Sequence, residues 1–433
     1  MELNKLREAL GREDFCTYIG KVKRISGMMI EATGCKYTIG EVCTIKTDSN
    51  SQISAEVVGF NDGRVLLMPY EDIKGIGLGN TVISTKNKLK VPVGDFLIGR
   101  IVNAVGQPMD DGGEFKTNEY CYVDNEYINP LTRPRINNTL SFGIKAIDGL
   151  LTIGKGQRMG IFAGSGVGKS TLLGMVAKNV KADINVIALV GERGREVREF
   201  IEKDLGEEGL KRSILVVATS DQPAMMRVKC SLVATTIAEY FKDQGKDVLL
   251  MMDSLTRFAM AQREIGLATG EPPVSRGYTP SIYAELPKLL ERSGNFNTGS
   301  ITGIYTVLVE GDDTNEPISD TVRGIVDGHI VLTRKLANSN HYPAIDINAS
   351  ISRLMNDIAS NHHNKTAKKL RDILSVYYAN YDLISIGAYK KGTNPPLDEA
   401  IIKIDKVNKF LTQEVNESFI YEDTVKMMEQ IIQ

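Results

Sequence analysis

The sequence predicts an α/β chain in three parts: a small β-barrel, a parallel-sheet core and a helical end. Three observations predict it. Short β-branched and aliphatic runs separated by turn residues fill the chain before residue 88, strands alternate with helices from Ile144 on, and amphipathic helical periodicity takes over beyond Ser352. At about 150 residues per domain, 433 residues leave room for roughly three domains. The expected boundaries are an amphipathic segment over 1–16, a barrel over 17–88, the core over 89–351 and the helical domain over 352–433.

The first residues place Leu3, Leu6 and Leu10 at helical spacing among charges. So short a helix is marginal alone, so it is either a frayed terminus or a segment that docks on a partner. From Tyr18 the runs GKVKRI, MMIEATG, EVCTI, SAEVVGF and RVLLMPY alternate with Gly, Asn, Asp and Ser, the grammar of a barrel or sandwich. A stretch near Val91 to Gly106 then leads into a segment rich in Gly, Asp, Asn and Pro, ending at LTRPRINN, that predicts a meandering connection. The strands QRMGIFAG, INVIALVGE, SILVVATS and DVLLMMDS are apolar throughout and flanked by helical patterns, as in a parallel sheet covered on both faces. The segments around KKLRDILSVYY, LDEAIIKIDKVNKFL and EDTVKMMEQII predict the closing helices.

Composition excludes several roles. With 52 Lys plus Arg against 54 Asp plus Glu, the formal charge is −2, which gives no general attraction for nucleic acid. No apolar run approaches the roughly 20 residues that span a bilayer. The N-terminus lacks a basic start followed by an apolar stretch, so no secretory leader is expected. Cys16, Cys35, Cys43, Cys121 and Cys230 are odd in number and lack metal-ligand spacing, which fits reduced thiols in packing roles.

Chemistry concentrates in the core. Ala163-Gly164-Ser165-Gly166-Val167-Gly168-Lys169-Ser170-Thr171 follows an apolar strand and opens a helix. Glycines there let backbone N–H groups close around phosphate oxygens at a helix N-terminus, Lys169 reaches the β- and γ-phosphates, and the Ser170 hydroxyl suits Mg²⁺. Ala163 stands where this pattern begins with Gly. Asp253 ends an apolar strand and suits the second half of such a site, supporting the metal. In the segment from Gly191 to Glu196, Glu192 can polarise an attacking water, while Arg193 offsets developing charge or holds the loop. A solvated charged loop explains these residues equally well.

These motifs, with DSLTRFAMAQREI, PPVSRGYTPSIYAELPKLLERSG and PAIDINASIS, together resemble the α/β subunit superfamily of rotary ATP synthases. Within it the chain is most similar to the flagellar and type III secretion export ATPases, from about Thr17 to the C-terminus. GAYKKGTNPPLDEAI resembles the flagellar branch, and the acidic stretch of synthase catalytic subunits is missing. The resemblance implies a RecA-like core that hydrolyses ATP with Mg²⁺ between subunits of a homo-hexameric ring. It implies that Gly164 to Thr171 cradle the phosphates and that Glu192 is the catalytic carboxylate, with Arg193 beside it. It further implies that Arg353 is an arginine finger given to the neighbouring subunit, and that Tyr342 stacks on adenine. Arg257 and Glu285 fall in matching blocks without an assigned role. The expected task is energising flagellar protein export from the cytoplasmic face of the membrane. The expected partners are a stator-type regulator on the N-terminal leucines, a coiled-coil central stalk, a membrane export gate, and exported proteins with their chaperones. The alternatives are an injectisome ATPase, an RNA-dependent ring helicase and a non-catalytic ring subunit.

Overall fold

The computed structural model describes residues 16–34, 36–49, 51–124, 129–309 and 316–432. The stripe Leu3, Leu6 and Leu10 lies outside them, as does Cys35. The chain divides into two compact units, the barrel with residues 264–271 and the remainder from Lys90 on.

The barrel is built from β1 (Ile19–Ser26), β2 (Met29–Thr33), β3 (Glu41–Lys46), β4 (Gln52–Asn61), β5 (Arg64–Pro69) and β6 (Thr81–Lys88). Neighbours run in the order β1-β2-β5-β4-β3-β6, and β6 pairs back onto β1 with Ile83 opposite Ile19, which closes it. Alternation sends Val22, Ile30, Cys43, Ile45, Val57, Leu67 and Val82 inward. The β4–β5 connection is the two-residue turn Asp62-Gly63, both at positive φ (47° and 73°). That geometry matches the twist of the flanking strands, and Asp-Gly is the pair that tolerates it.

The second unit holds β7 (Ile101–Asn103), β8 (Arg158–Ala163), β9 (Ile184–Glu192), β10 (Ser213–Thr219), β11 (Asp247–Asp253), β12 (Ser300–Leu308), β13 (Gly328–Leu332) and β14 (Ile345–Ser352). Their order is β14-β13-β8-β12-β11-β9-β10-β7. The pairs are parallel except β13–β14, and a two-residue strand at Gly294–Asn295 adds antiparallel to β12. Two details differ from the sequence reading. The stretch from Val91 to Gly106, ahead of the expected connection, contributes the edge strand β7, paired with β10, and PAIDINASIS forms the antiparallel β14. Both are short or mixed-polarity segments whose strand character comes from the neighbour they pair with.

The helices that matter here are α1 (Lys145–Leu150), α2 (Lys169–Asn179), α3 (Ala224–Asp243), α4 (Leu255–Ala268), α5 (Asn361–Ala379), α6 (Pro395–Leu411) and α7 (Tyr421–Ile432). Ser360 caps α5 by accepting the His363 N–H, and Asn394 caps α6 ahead of Pro395. The helical end is joined to the sheet by one continuous apolar core that includes Leu150, Leu370, Phe410 and Met428. Polar contacts fix the junction. His363, 1% exposed, donates Nε2–H to the Gly149 carbonyl (2.7 Å), and its Nδ1 meets the Tyr421 hydroxyl (2.9 Å). Arg371 donates to the carbonyls of Leu150 (2.6 Å) and Ile347 (2.8 Å).

Candidate active site

Strand β8 is central and buried, and its C-terminal end leads through residues 164–168 into α2. Gly166 and Gly168 sit at φ 77° and 87°, and Gly168 is the N-cap of α2 without a side-chain cap bond. The first N–H groups of α2 therefore face outward, a ready anion site. A Cβ at Gly166 would meet nothing within 4 Å, so backbone conformation, not crowding, is what calls for glycine there.

Around this loop lies a cavity of about 720 Å³. Its wall includes Lys169, Ser170, Glu192, Asp253, Thr256 and Arg257, brought in from α2, β9, β11 and α4. Parallel pairing does the positioning: β9 and β11 run in register with Leu189 opposite Asp253, so Glu192 and Asp253 both end at the same sheet edge. The β9–β10 register shifts between Val190 and Glu192, at Gly191 with φ 67°, which turns the end of β9.

The electrostatics centre on Lys169. Its ammonium lies 2.5 Å from Asp253 Oδ1 and 3.7 Å from Glu192 Oε1. Burial opposes the lysine's charge, but the two carboxylates outweigh it and raise its pKa above the ordinary value. Asp253, 5% exposed, also accepts from Thr306 Oγ1 at 2.7 Å. Burial pushes Glu192 up to about 7. The Asp253 charge and a hydrogen bond with Glu196 add to the rise, while Lys169 pulls the other way. Glu192 Oε1 is buried without a hydrogen-bond partner. Glu196 moves the opposite way, below its ordinary value: against its own burial, the bonds from Glu192 and Arg193 hold it ionised.

The other residues singled out in the sequence divide into groups. Gly164, Ser165, Gly166, Gly168 and Thr171 border the cavity, and the Thr171 hydroxyl also bonds Asp204. Val167 is 1% exposed and points into the core, so only its backbone is available to a ligand. Arg193 stands on the rim, paired with Glu196 at 3.0 Å. The Tyr342 ring lies beside the loop, 3.5 Å from where a Cβ on Gly168 would be. Glu285 pairs with Lys288 (2.8 Å) outside the cavity wall. Arg353 does not join the cavity of its own chain. Its N–H bonds Asp327 O, and Asp327 N bonds Arg158 O at the start of β8, a strand length of about 17 Å from the loop.

Some residues in or behind the cavity wall escaped the sequence reading. Thr306 sits inside an apolar strand and looks like core until the β11–β12 register sets Tyr305 opposite Met252. Arg257 was seen but given no role. Its Nε is buried without a partner in the cavity wall. Glu196 and Arg334, neither assigned a role from the sequence, also line the cavity.

Residues 22–86 match the ATP synthase alpha/beta family beta-barrel domain. Residues 143–352 match the nucleotide-binding domain of that family, and residues 359–430 match the T3SS EscN ATPase C-terminal domain. The chain is 54% identical over 429 residues to the flagellum-specific ATP synthase of Bacillus subtilis, covering 98% of each. It superposes on the assembled ATPase EscN of the enteropathogenic E. coli type III secretion system with TM-score 0.91 and 46% identity. That match covers 96% of this chain and all of the other. EscN in complex with its central stalk EscO gives TM-score 0.89 and 45% identity, with the same coverage. With matched segments running from barrel to terminal helices and identity at this level over nearly the whole length, the chain belongs to the family of flagellum-specific ATP synthases and type III secretion ATPases within the ATP synthase alpha/beta family.

Proposed function

We propose that the chain is the ATP-hydrolysing motor of flagellar protein export, working as a homo-hexameric ring whose catalytic sites are completed between subunits. The observation that carries this reading is the carboxylate pair at the phosphate loop. Asp253 is ionically tied to Lys169, while Glu192 is held near neutrality with one oxygen unpartnered. A group with a pKa close to the working pH suits proton transfer, and its bare oxygen suits a water. A purely structural nucleotide pocket has no use for such a group.

In this reading the backbone of residues 164–168 and the N-terminus of α2 bind the β- and γ-phosphates. Lys169 leaves Asp253 for the phosphate oxygens, and the buried Arg257 guanidinium faces the developing charge. Glu192 orients the attacking water, with Glu196 as its hydrogen-bond partner, and Arg193 holds Glu196. Tyr342 provides a face for adenine. The donor set fits Mg²⁺: the Ser170 hydroxyl and the Asp253 carboxylate are hard oxygen ligands beside a phosphate cradle. When bound, the ion would offset the charge of the phosphates. In this reading Arg353, about a strand length away from its own loop, serves the site of a neighbouring copy.

The assembled state of EscN and its complex with a central stalk support the ring and a stalk partner. The stator-type regulator, the export gate, and exported proteins with their chaperones complete the proposed setting at the cytoplasmic face of the membrane. Among the described residues no helix is long and apolar enough to cross a membrane. The injectisome reading rests on the likeness to EscN, and the higher identity to the Bacillus subtilis protein favours the flagellum. The test is specific ATPase activity against protein concentration. Activity per chain should climb steeply as copies assemble, and equal turnover by dilute monomer would sink the inter-subunit site.

A further inference from the structure

Strand β12 is buried where it passes behind the nucleotide cavity: Ile304, Tyr305, Thr306 and Val307 are each at most 1% exposed. A hydroxyl in such a strand costs desolvation unless it is bonded, and valine would fill nearly the same shape without that cost. The Thr306 hydroxyl has two acceptors in reach, Asp253 Oδ1 at 2.7 Å and the Met252 carbonyl at 3.3 Å. It carries one proton, and the shorter distance, to a carboxylate oxygen, assigns that proton to Asp253. Thr306 itself stands behind the cavity wall, with Asp253 in the wall in front of it.

Among the described residues two donors converge on Asp253 Oδ1: the Thr306 hydroxyl and the Lys169 ammonium, the latter at 2.5 Å. They differ in freedom. Thr306 is fixed in the sheet by pairing on both sides, with Ile161 of β8 opposite it and the adjoining Tyr305 opposite Met252 of β11. Lys169 sits in the first turn of α2, on a long side chain at the phosphate cradle. In the proposed function this ammonium leaves Asp253 for the phosphate oxygens. A carboxylate only 5% exposed that gave up its last donor would become an unpaired buried charge, which is far costlier than a lost surface contact. We propose that Thr306 is a positioning residue for nucleotide binding, its hydroxyl keeping Asp253 Oδ1 paired once Lys169 has moved and so lowering the cost of handing the ammonium to the phosphates. The proposal rests on that reading of Lys169.

The sign of the effect follows from which state loses more. In Thr306→Val the empty site still has Lys169 on Asp253, whereas the occupied site leaves Oδ1 bare. The loss falls on the bound state, so phosphate-bearing ligands bind more weakly.

The assay is equilibrium dialysis of ATP against the full chain in EDTA, so that no divalent ion takes over the Asp253 charge. Thr306→Val should weaken ATP about tenfold, and Thr306→Ser, which keeps the hydroxyl, should stay within about twofold of the unmodified chain. In a Lys169→Ala background no ammonium is handed over, so there Thr306→Val should change ATP affinity by less than about twofold. The proposal is refuted by a folded Thr306→Val that binds ATP as the unmodified chain does, by Thr306→Ser as weak as Thr306→Val, or by an equal loss with and without Lys169, the mark of a merely structural defect. If Thr306→Val does not fold, Thr306→Ala set against Thr306→Ser makes the same comparison. Lys169→Ala that binds ATP undiminished refutes the reading of Lys169 and the proposal with it, whereas a weakened Lys169→Ala beside an unaffected Thr306→Val refutes the Thr306 role alone.

Discussion

Glu192→Gln separates the electrostatic account of the site from its catalytic one in a single variant. In the folded chain Glu192 holds its proton up to about pH 7, against an ordinary value of 4.5. Between those values the unfolded chain releases a proton that the folded chain keeps, so folding stability falls as pH rises and levels off above 7. Glutamine has the same shape and never ionises, so it is spared that fall. From pH 5.5 to pH 8 the wild type should lose about 1.5 units at about 1.4 kcal/mol each, or about 2 kcal/mol, relative to the variant. Unfolding entropy of about 2.1 cal/mol/K per residue over 433 residues is about 0.9 kcal/mol/K. The relative melting temperature of Glu192→Gln should thus rise by about 2 °C from pH 5.5 to pH 8 in differential scanning calorimetry. The same variant should bind ATP and lose most of its turnover, because the missing carboxylate acts chiefly in the transition state. A melting-temperature difference that is the same at both pH values would refute the raised Glu192 pKa, and unimpaired hydrolysis would move the catalytic assignment elsewhere.

Other perturbations probe neighbouring parts of the site. The pH profile of kcat/KM should fall on its acid side with a midpoint near 7, where Glu192 takes up a proton, and Glu196→Ala should move that limb to lower pH. Lys169→Ala should weaken ATP by at least about thirtyfold in equilibrium binding, since it leaves Asp253 facing the phosphates without its ammonium partner. Arg353→Ala should bind ATP normally yet hydrolyse poorly, and mixing it with Lys169→Ala should restore some activity; inert mixed rings would count against donation across the interface. Asp148 is fully buried and accepts from Phe142 N, Gly143 N and Ser141 Oγ, with burial pushing its pKa up to about 6. Asp148→Asn turns an NH₂ group toward part of that donor set, and at about 2 kcal/mol it should lower the melting temperature by about 2 °C at pH 8.

What could be read from the sequence was what is local in the chain. The phosphate loop is one contiguous stretch, and Glu192 and Asp253 each end an apolar run, so their placement follows once the runs are taken as parallel strands. The environment of those residues was not local. Thr306 reaches Asp253 across 53 residues of sequence, through the pairing of β11 with β12. The Glu192–Glu196 pair depends on how the end of β9 turns into the helix Gly194–Glu199. Arg193 reads in sequence as offsetting developing charge or holding the loop, and which carboxylate its side chain meets, Glu196 on the rim, follows only from the fold. The edge strands β7 and β14 were missed for a related reason. Three residues, or eight with alternating polarity, acquire strand geometry only from the strand beside them.

Those edges have a consequence for how copies of the chain can meet. Exposed strand edges are templates through which folded chains join irreversibly. The barrel, closed by β6 on β1, presents none among its described residues. The large sheet ends on one side in a strand of only three residues, and on the other in β14, where the Asp346 carboxylate already holds the backbone N–H groups of Asn348 and Ala349. Copies at high local concentration are therefore offered little free backbone edge and meet chiefly side-chain surfaces.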